Sequence, residues 1–138
     1  MADVSQIHRE MMDAWNNRDF SRMRGLLHPE YTYTGGDGKE LRGPEAGIDV
    51  AQMYANAFPD GRVEVARVHV AGDTAVAEMV ARGTHGGDLL GIAPTGKKVE
   101  IRICNVMELR DGKVYREREY FDVMTMLVQL GVVTPPGS

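Results

Sequence analysis

The 138-residue sequence contains only one cysteine, Cys104, and this scarcity excludes an internal disulfide bond. No second Cys or His stands near Cys104 at metal-ligand spacing, so we interpret the thiol as an inert strand residue. No apolar run approaches the roughly 18 residues of a transmembrane helix. The N-terminus also lacks the pattern of a signal peptide, and we therefore expect a cytoplasmic protein.

Positive charge and aromatic residues are scarce as well. The chain has 16 Lys and Arg against 20 Asp and Glu, a net charge of −4, and 7% aromatic residues. Without a basic cluster or alternating basic and aromatic residues, neither nucleic acid nor a membrane is expected as a partner. The sequence has no phosphate-binding loop, Cys-x-x-Cys pair, nucleophile elbow or His-Glu-x-x-His segment. Nucleotide, zinc and serine-hydrolase chemistry thus have no support, and no metal is expected.

The first 58 residues carry helical patterns. Apolar residues recur at helical spacing over residues 3–17, where Asp3 or Ser5 can cap the start. A shorter helix follows Asp19 and is predicted to stop at His28-Pro29, because the residue before proline avoids the helical region. After a β-prone run, Tyr31 to Thr34, and a Gly-rich loop, the Gly-Pro-Glu sequence at 43–45 opens a third helix.

From residue 62 the apolar pattern has a period of two, which is typical of strands. The phase slips near Ala66-Arg67 and predicts a β-bulge in a bent strand. Asp111-Gly112 predicts a tight hairpin turn, because both residues of such a turn take positive φ. A last helix is predicted from Val123. The later strands are predicted at 74–84, 98–110 and 113–121.

This order predicts a single α+β domain over residues 1–138, with residues 132–138 as a loose tail. Three N-terminal helices are expected to pack on a strongly curved mixed or antiparallel sheet, with a short C-terminal helix. A bent sheet around a long helix encloses an apolar cavity, where small hydrophobic molecules bind. The long last strands have an outer face that a homodimer or homotetramer is expected to cover.

Five segments of the chain form a recognisable series: Arg82-Gly83-Thr84-His85-Gly86-Gly87, Gly91-Ile92-Ala93-Pro94-Thr95-Gly96-Lys97, Asp111-Gly112-Lys113-Val114, Phe121-Asp122 and Gln129-Leu130-Gly131. The series resembles the SnoaL-like polyketide cyclases. Their superfamily has the nuclear transport factor 2 (NTF2) fold and includes ketosteroid isomerase and limonene epoxide hydrolase. The resemblance implies an NTF2-like cone with a cofactor-free, metal-free acid–base site. Because this fold hosts many activities and also non-enzymes, it is less specific for function.

Asp122 and Asn105 are the candidate catalytic residues. The resemblance implies an acid/base at the end of the last strand, which is the position of Asp122. An Asp that starts a helix is otherwise an N-cap. Strand alternation places Asn105 on one face with Ile103 and Met107, where a polar side chain binds a substrate carbonyl or satisfies a neighbour.

Seven side chains are candidates for substrate binding: Trp15, Tyr33, Met53, Tyr54, Met107, Arg118 and Tyr120. Arg118 shares a strand face with Asp122 and could pair with it, with an anionic substrate group, or with Glu108 on the next strand. Many relatives carry Trp where this chain has Arg118, and a His near Thr34. The alternating charges at 116–119 are typical of a solvated or subunit-facing strand, and His85 is interpreted as fixing its loop.

Three functions are consistent with this pattern. The first is acid–base ring closure of a hydrophobic polyketide-like carbonyl compound, by an intramolecular aldol-type reaction. The second is epoxide opening of the limonene epoxide hydrolase type, for which Arg118 with Asp122 is a partial fit. The third is a non-catalytic small-molecule-binding or dimerisation module. A polar cavity with Asp122 facing inward favours an enzyme, whereas Asp122 bonded only to its own helix favours the module.

Overall fold

The computed structural model describes residues 3–137. Within this range four helices pack on a six-stranded sheet. The helices are α1 (Val4–Asn16), α2 (Phe20–Leu26), α3 (Pro44–Ala57) and α4 (Val123–Gln129). The strands are β1 (Leu27–Thr34), β2 (Glu40–Arg42), β3 (Arg62–Ala71), β4 (Thr74–Thr84), β5 (Lys98–Arg110) and β6 (Lys113–Phe121).

The helix starts follow the predicted capping residues. The Asp3 carboxylate accepts a hydrogen bond from Ser5 N at 2.9 Å, and Asp19 accepts one from Arg22 N at 3.1 Å. These bonds satisfy backbone N–H groups that have no partner within the first turn. α2 ends at Leu26, directly before the predicted stop at His28-Pro29, and both of these residues belong to β1. The short strand β2 was not predicted.

The sheet has the strand order β2-β1-β6-β5-β4-β3. β1 pairs with β6 in parallel, and the other neighbours are antiparallel, so the sheet is mixed. The predicted bulge in β3 is confirmed by a register shift between Val65 and Arg67. The predicted hairpin between β5 and β6 is also confirmed, since Asp111 and Gly112 have φ values of 52° and 74°.

A second bulge, in β6, was not predicted and decides which side chains face inward. Leu109 pairs with Val114, but Glu108 pairs with Arg116, so Tyr115 is an extra residue in the strand. Because side chains alternate between the two faces of a strand, one extra residue exchanges the faces for every residue that follows. Glu117 and Glu119 therefore point to the concave face.

The concave face of the sheet is covered by α1 and α3. α1 packs on β3, β4 and β5, and α3 packs on β1 and β2. Three residues of β4 are buried there: Ala75, Ala77 and Met79. Residues 132–137 of the predicted loose tail contain no helix or strand, and residue 138 lies outside the described residues. Within residues 3–137, no helix has both the length and the apolar character needed to cross a membrane.

Candidate active site

A largely apolar cavity of about 150 Å³ lies between the helices and the concave face of the sheet. The thioethers of several methionines form much of its wall, together with aromatic rings. Methionine side chains are flexible and adapt to irregular shapes, so this wall can adjust to a bound molecule. The methionines are Met11, Met12, Met23, Met79 and Met126, and the aromatic residues are Trp15, Tyr31, Tyr33, Tyr54, Phe58 and Phe121.

Two carboxylates from β6 enter this cavity, each bound to a tyrosine of β1. Tyr31 OH donates to Glu117 Oε1 at 2.6 Å, and Tyr33 OH donates to Glu119 Oε1 at 2.7 Å. Glu117 is 6% exposed, and Glu119 is half-buried. The parallel pairing of β1 with β6 places the two tyrosines beside the two glutamates.

Asn105 of β5 forms a hydrogen-bonded bridge between the two carboxylates. Its Nδ2 donates to Glu117 Oε2 at 2.8 Å and to Glu119 Oε2 at 3.2 Å. Its Oδ1 lies 3.0 Å from His8 Nε2 on α1. Because the amide oxygen can only accept, His8 Nε2 is the donor of this bond. Asn105 is fully buried and has partners on both ends of its amide.

Burial changes the protonation of this cluster. It raises the pKa of Glu117 from 4.5 to about 7, with the charge of Glu119 as the next cause, and it also raises the pKa of Glu119. Burial and the neighbouring carboxylates raise the pKa values of Tyr31 and Tyr33, so both stay protonated donors. The pair of glutamates can therefore hold and release a proton near neutral pH.

Asp122 does not face this cavity. It is exposed and caps α4, where its carboxylate accepts from Thr125 Oγ1 at 2.7 Å and from Thr125 N at 3.2 Å. These two hydrogen bonds lower its pKa. The expectation that this carboxyl projects into the apolar interior is wrong, and the N-cap interpretation describes its geometry.

Arg118 and Tyr120 lie on the outer face of the sheet, because the bulge at Tyr115 exchanges the faces of β6. Arg118 Nη1 donates to Glu108, which confirms the cross-strand alternative, and the alternative pairing with Asp122 is not formed. Tyr120 is 58% exposed. The interpretation of the charges at 116–119 as a solvated strand holds for the arginines and is wrong for the glutamates.

The other candidates divide between the cavity and the core. Trp15, Tyr33 and Tyr54 line the cavity. Met107 is fully buried in the core, and Met53 packs against a second core cluster formed by residues such as Leu89 and Leu130. Neither methionine is part of the cavity wall.

His85 fixes its loop, as predicted. Its Nδ1 accepts from Thr95 N at 3.1 Å and lies 3.0 Å from Thr95 Oγ1. Within residues 3–137, no group of three or more His, Cys, Asp or Glu side chains is arranged to hold a metal ion.

The strongly curved mixed sheet, covered by helices and enclosing a polar cluster in an apolar cavity, defines an NTF2-like fold of the ketosteroid isomerase type. The family profile for SnoaL-like polyketide cyclase matches residues 5–130, and the chain belongs to this family. The resemblance inferred from the sequence is thus confirmed.

Two curated relatives are similar over most of their length. Aklanonic acid methyl ester cyclase AcmA of Streptomyces galilaeus is 30% identical over 129 residues, which cover 92% of this chain and 90% of AcmA. Nogalonic acid methyl ester cyclase of Streptomyces nogalater is 28% identical over 123 residues, covering 88% and 92%. Among solved structures, a SnoaL-like protein from Jannaschia sp. CCS1 has a TM-score of 0.88 at 23% identity, with 96% of this chain and 93% of that chain covered. That structural similarity supports the fold.

Proposed function

We propose that this protein is a cofactor-independent cyclase that closes a ring in a small hydrophobic, polyketide-like carbonyl compound by general acid–base catalysis. The single observation that carries the proposal is the hydrogen-bonded pair of Glu117 and Glu119 inside an apolar cavity. A carboxyl group that exchanges its proton near neutral pH is suited to both halves of an aldol reaction. The curated relatives, named as cyclases of polyketide methyl esters, support the same reaction class.

Glu119 is the base in this reaction, and the glutamate pair returns the proton. Ionised Glu119, half-buried in the cavity wall, removes a proton from the carbon next to a substrate carbonyl, and the C–H electron pair becomes the enolate. The enolate carbon attacks a second carbonyl carbon of the same molecule, so that a C–C bond forms and the carbonyl oxygen becomes an alkoxide. The alkoxide then takes a proton from the glutamate pair, which returns to its starting state. The substrate and product have the same composition.

Tyr31 and Tyr33 supply donors for the oxygen that gains charge. Their hydroxyls are held by the carboxylates in the free protein and remain protonated. A phenolic O–H next to the reacting carbonyl stabilises the enolate or alkoxide more strongly in a cavity that excludes water. Asn105 uses both N–H groups on the carboxylates, so in the free protein it supports the pair and does not face a substrate.

The two alternative functions have less support. Epoxide opening was linked to an Arg118–Asp122 pair, and these residues lie on the outer face of the sheet and on the surface. The non-catalytic module was linked to Asp122 bonded only within its own helix, and Asp122 meets this condition. The cavity nevertheless contains two other carboxylates that can exchange protons, and we therefore favour an enzyme.

A homodimer or homotetramer in the cytoplasm is part of the same proposal. The outer face of the central strands carries partly exposed apolar side chains, including Val76, Val80 and Val106. A second copy that packs on this face would cover them. With its net charge of −4, the chain is not suited to nucleic acid or anionic membrane surfaces.

A turnover assay with matched variants tests the proposal. Purified protein is incubated with aklanonic acid methyl ester, the compound that appears in the name of the relative AcmA. Ring closure is followed by chromatography and mass spectrometry, which detect a product of unchanged mass. We expect Glu119→Gln to lower kcat by at least about 100-fold, because removal of a general base costs roughly 10²–10⁴-fold.

Asp122→Asn is the matched control, since it neutralises a carboxylate outside the cavity, and it should retain turnover within about threefold. Full activity of Glu119→Gln, or loss of activity only in Asp122→Asn, would contradict the proposed roles.

A further inference from the structure

We propose that His8 is a positioning residue that fixes the orientation of the Asn105 amide and thereby keeps the exchangeable proton of the Glu117–Glu119 pair on the cavity side. This inference rests on the proposed function, because it concerns the same two carboxyl groups. It assigns a role to a buried helical residue that is not itself part of the cavity wall.

Both polar atoms of the Asn105 side-chain amide have hydrogen-bond partners. Nδ2 donates to Glu117 Oε2 and Glu119 Oε2 at 2.8 and 3.2 Å, and Oδ1 accepts from His8 Nε2 at 3.0 Å. When both carboxyls are ionised, they alone keep the N–H groups turned toward them, because carboxylates only accept hydrogen bonds. His8 is then redundant.

The situation changes when the pair holds a proton. A protonated carboxyl has an O–H that could donate to Asn105 Oδ1 if the amide turned by half a rotation. That rotation would bring the amide N–H groups toward the N–H of His8 and leave two donors facing each other in a buried site. His8 therefore makes the rotation unfavourable and holds the amide in one orientation in both protonation states.

A fixed amide determines where the proton resides. Both Oε2 atoms accept from Asn105, so the proton belongs on the Oε1 atoms, which face the hydroxyls of Tyr31 and Tyr33. A tyrosine hydroxyl can rotate to accept that proton's hydrogen bond, whereas the amide N–H cannot. The proton thus lies between the carboxyls and two tyrosines that line the cavity.

The surroundings of the pair support this arrangement. Burial lowers the pKa of His8, so its imidazole remains a neutral donor. The other titratable groups that face the carboxyls are Tyr31 and Tyr33 on β1 and Tyr54 on α3, whose pKa Glu119 helps to raise. The other charged residues of the cavity wall are two arginines, Arg62 and Arg82, and Arg82 binds Glu64 and Glu100.

Two variants of His8 separate positioning from packing. His8→Phe keeps a ring of similar size and removes the N–H, whereas His8→Gln offers an amide N–H at a similar reach. With His8→Phe, the amide can turn when the pair holds a proton, and its Oδ1 can then accept from the carboxyl O–H, so the protonated form of the pair is stabilised. We expect the pH midpoint of the pair to rise by roughly 0.5–1 pH unit and kcat at neutral pH to fall about tenfold with little change in KM. His8→Gln should restore kcat to within about threefold of the wild type, and the pH midpoint should return to the wild-type value.

The experiment combines a titration without substrate and a pH–rate profile. The carboxyl carbons of ¹³C-labelled Glu117 and Glu119 are followed by NMR in the wild type, both His8 variants and His69→Gln. The last is a control in which an exposed imidazole is replaced far from the cavity. Urea unfolding confirms that each variant is folded.

In the wild type, ¹⁵N spectra of His8 should show a neutral imidazole with its proton on Nε2, and this measurement needs no variant. A proton on Nδ1, or a titration midpoint that His8→Phe leaves within about 0.2 pH unit, would overturn the inference. Active protein with an unchanged midpoint would refute the positioning role and leave the proposed function intact. Inactive wild-type protein whose midpoint moves in His8→Phe would support the positioning and refute the proposed reaction.

Discussion

Replacement of Glu117 by glutamine is expected to stabilise the fold above pH 7. The Glu117 carboxyl is 6% exposed, and burial together with Glu119 raises its pKa from 4.5 to about 7. Glutamine has nearly the same shape. Its oxygen can accept from Asn105 Nδ2, and its N–H can donate to the Tyr31 hydroxyl. The substitution thus removes a buried charge and keeps the hydrogen-bond partners satisfied.

The sign and size follow from proton linkage. The folded protein binds the Glu117 proton more tightly than the unfolded chain, because the pKa is about 7 when folded and 4.5 when unfolded. The stability from this group is therefore complete below pH 4.5 and is lost as the pH rises through 7. Each pH unit in this window costs about 1.4 kcal/mol, so the loss reaches about 3 kcal/mol. Above pH 7, Glu117→Gln should exceed the wild type in unfolding free energy by up to this amount.

Urea unfolding at several pH values between about 5 and 8 measures the effect. Burial lowers the pKa of His8, which makes the stability of both proteins rise with pH. The quantity to compare is therefore the difference between Glu117→Gln and the wild type at each pH. We expect this difference to grow by roughly 2–3 kcal/mol across the range.

Two results would refute this reasoning. A difference that does not grow with pH would show that Glu117 ionises as freely in the fold as in the unfolded chain. A Glu117→Gln protein that is less stable than the wild type at pH 8 would show that the charged form is favoured by its hydrogen bonds despite burial. In either case, the carboxyl would lack the property on which its proposed proton exchange depends.

Two further substitutions test the geometry. Asp122→Ala removes the cap of α4 and should lower the urea midpoint while turnover stays within about twofold, and a loss of turnover would contradict the surface position of this carboxylate. A Cβ on Gly47 would lie 2.4 Å from Cε2 of Tyr31, so Gly47→Ala should displace this ring from Glu117 and lower kcat about tenfold. Gly25→Ala, whose Cβ meets no atom within 4 Å, is its control, and equal kcat values for the two variants would contradict the role of Tyr31.

Much of the fold could be predicted from the sequence because the spacing of its apolar residues changes clearly from a helical period to the period of two that strands have. The bulge in β3 was predictable since valines before and after Ala66 stand in opposite phase. The hairpin at Asp111-Gly112 was predictable from the residues that tolerate positive φ. In each case the signal is local, and apolar side chains report which face is buried.

The candidate site was harder to predict because its polar residues imitate a solvated strand. Residues 116–119 alternate Arg and Glu, and a strand that buries carboxylates has the same alternation as one that exposes them. Because both faces of this stretch carry charged residues, there are no alternating apolar residues whose change of face would reveal a bulge. His8 was missed for another reason: it meets Asn105 across 97 residues of sequence, and no local period encodes such a contact.

The bulge at Tyr115 therefore belongs to the site as much as the carboxylates do. Counted directly from the Asp111-Gly112 turn, a regular hairpin would place Arg118 opposite Asn105, and Arg118, Tyr120 and Asp122 would face inward. The extra residue pairs Asn105 with Glu119 instead and brings the glutamates to the tyrosines of β1. Tyr115 is held in place by Arg110, whose guanidinium lies 3.9 Å from its ring centre, and by His28, whose ring centre is 5.3 Å away. A cluster outside the cavity wall thus determines which side chains of β6 face the cavity.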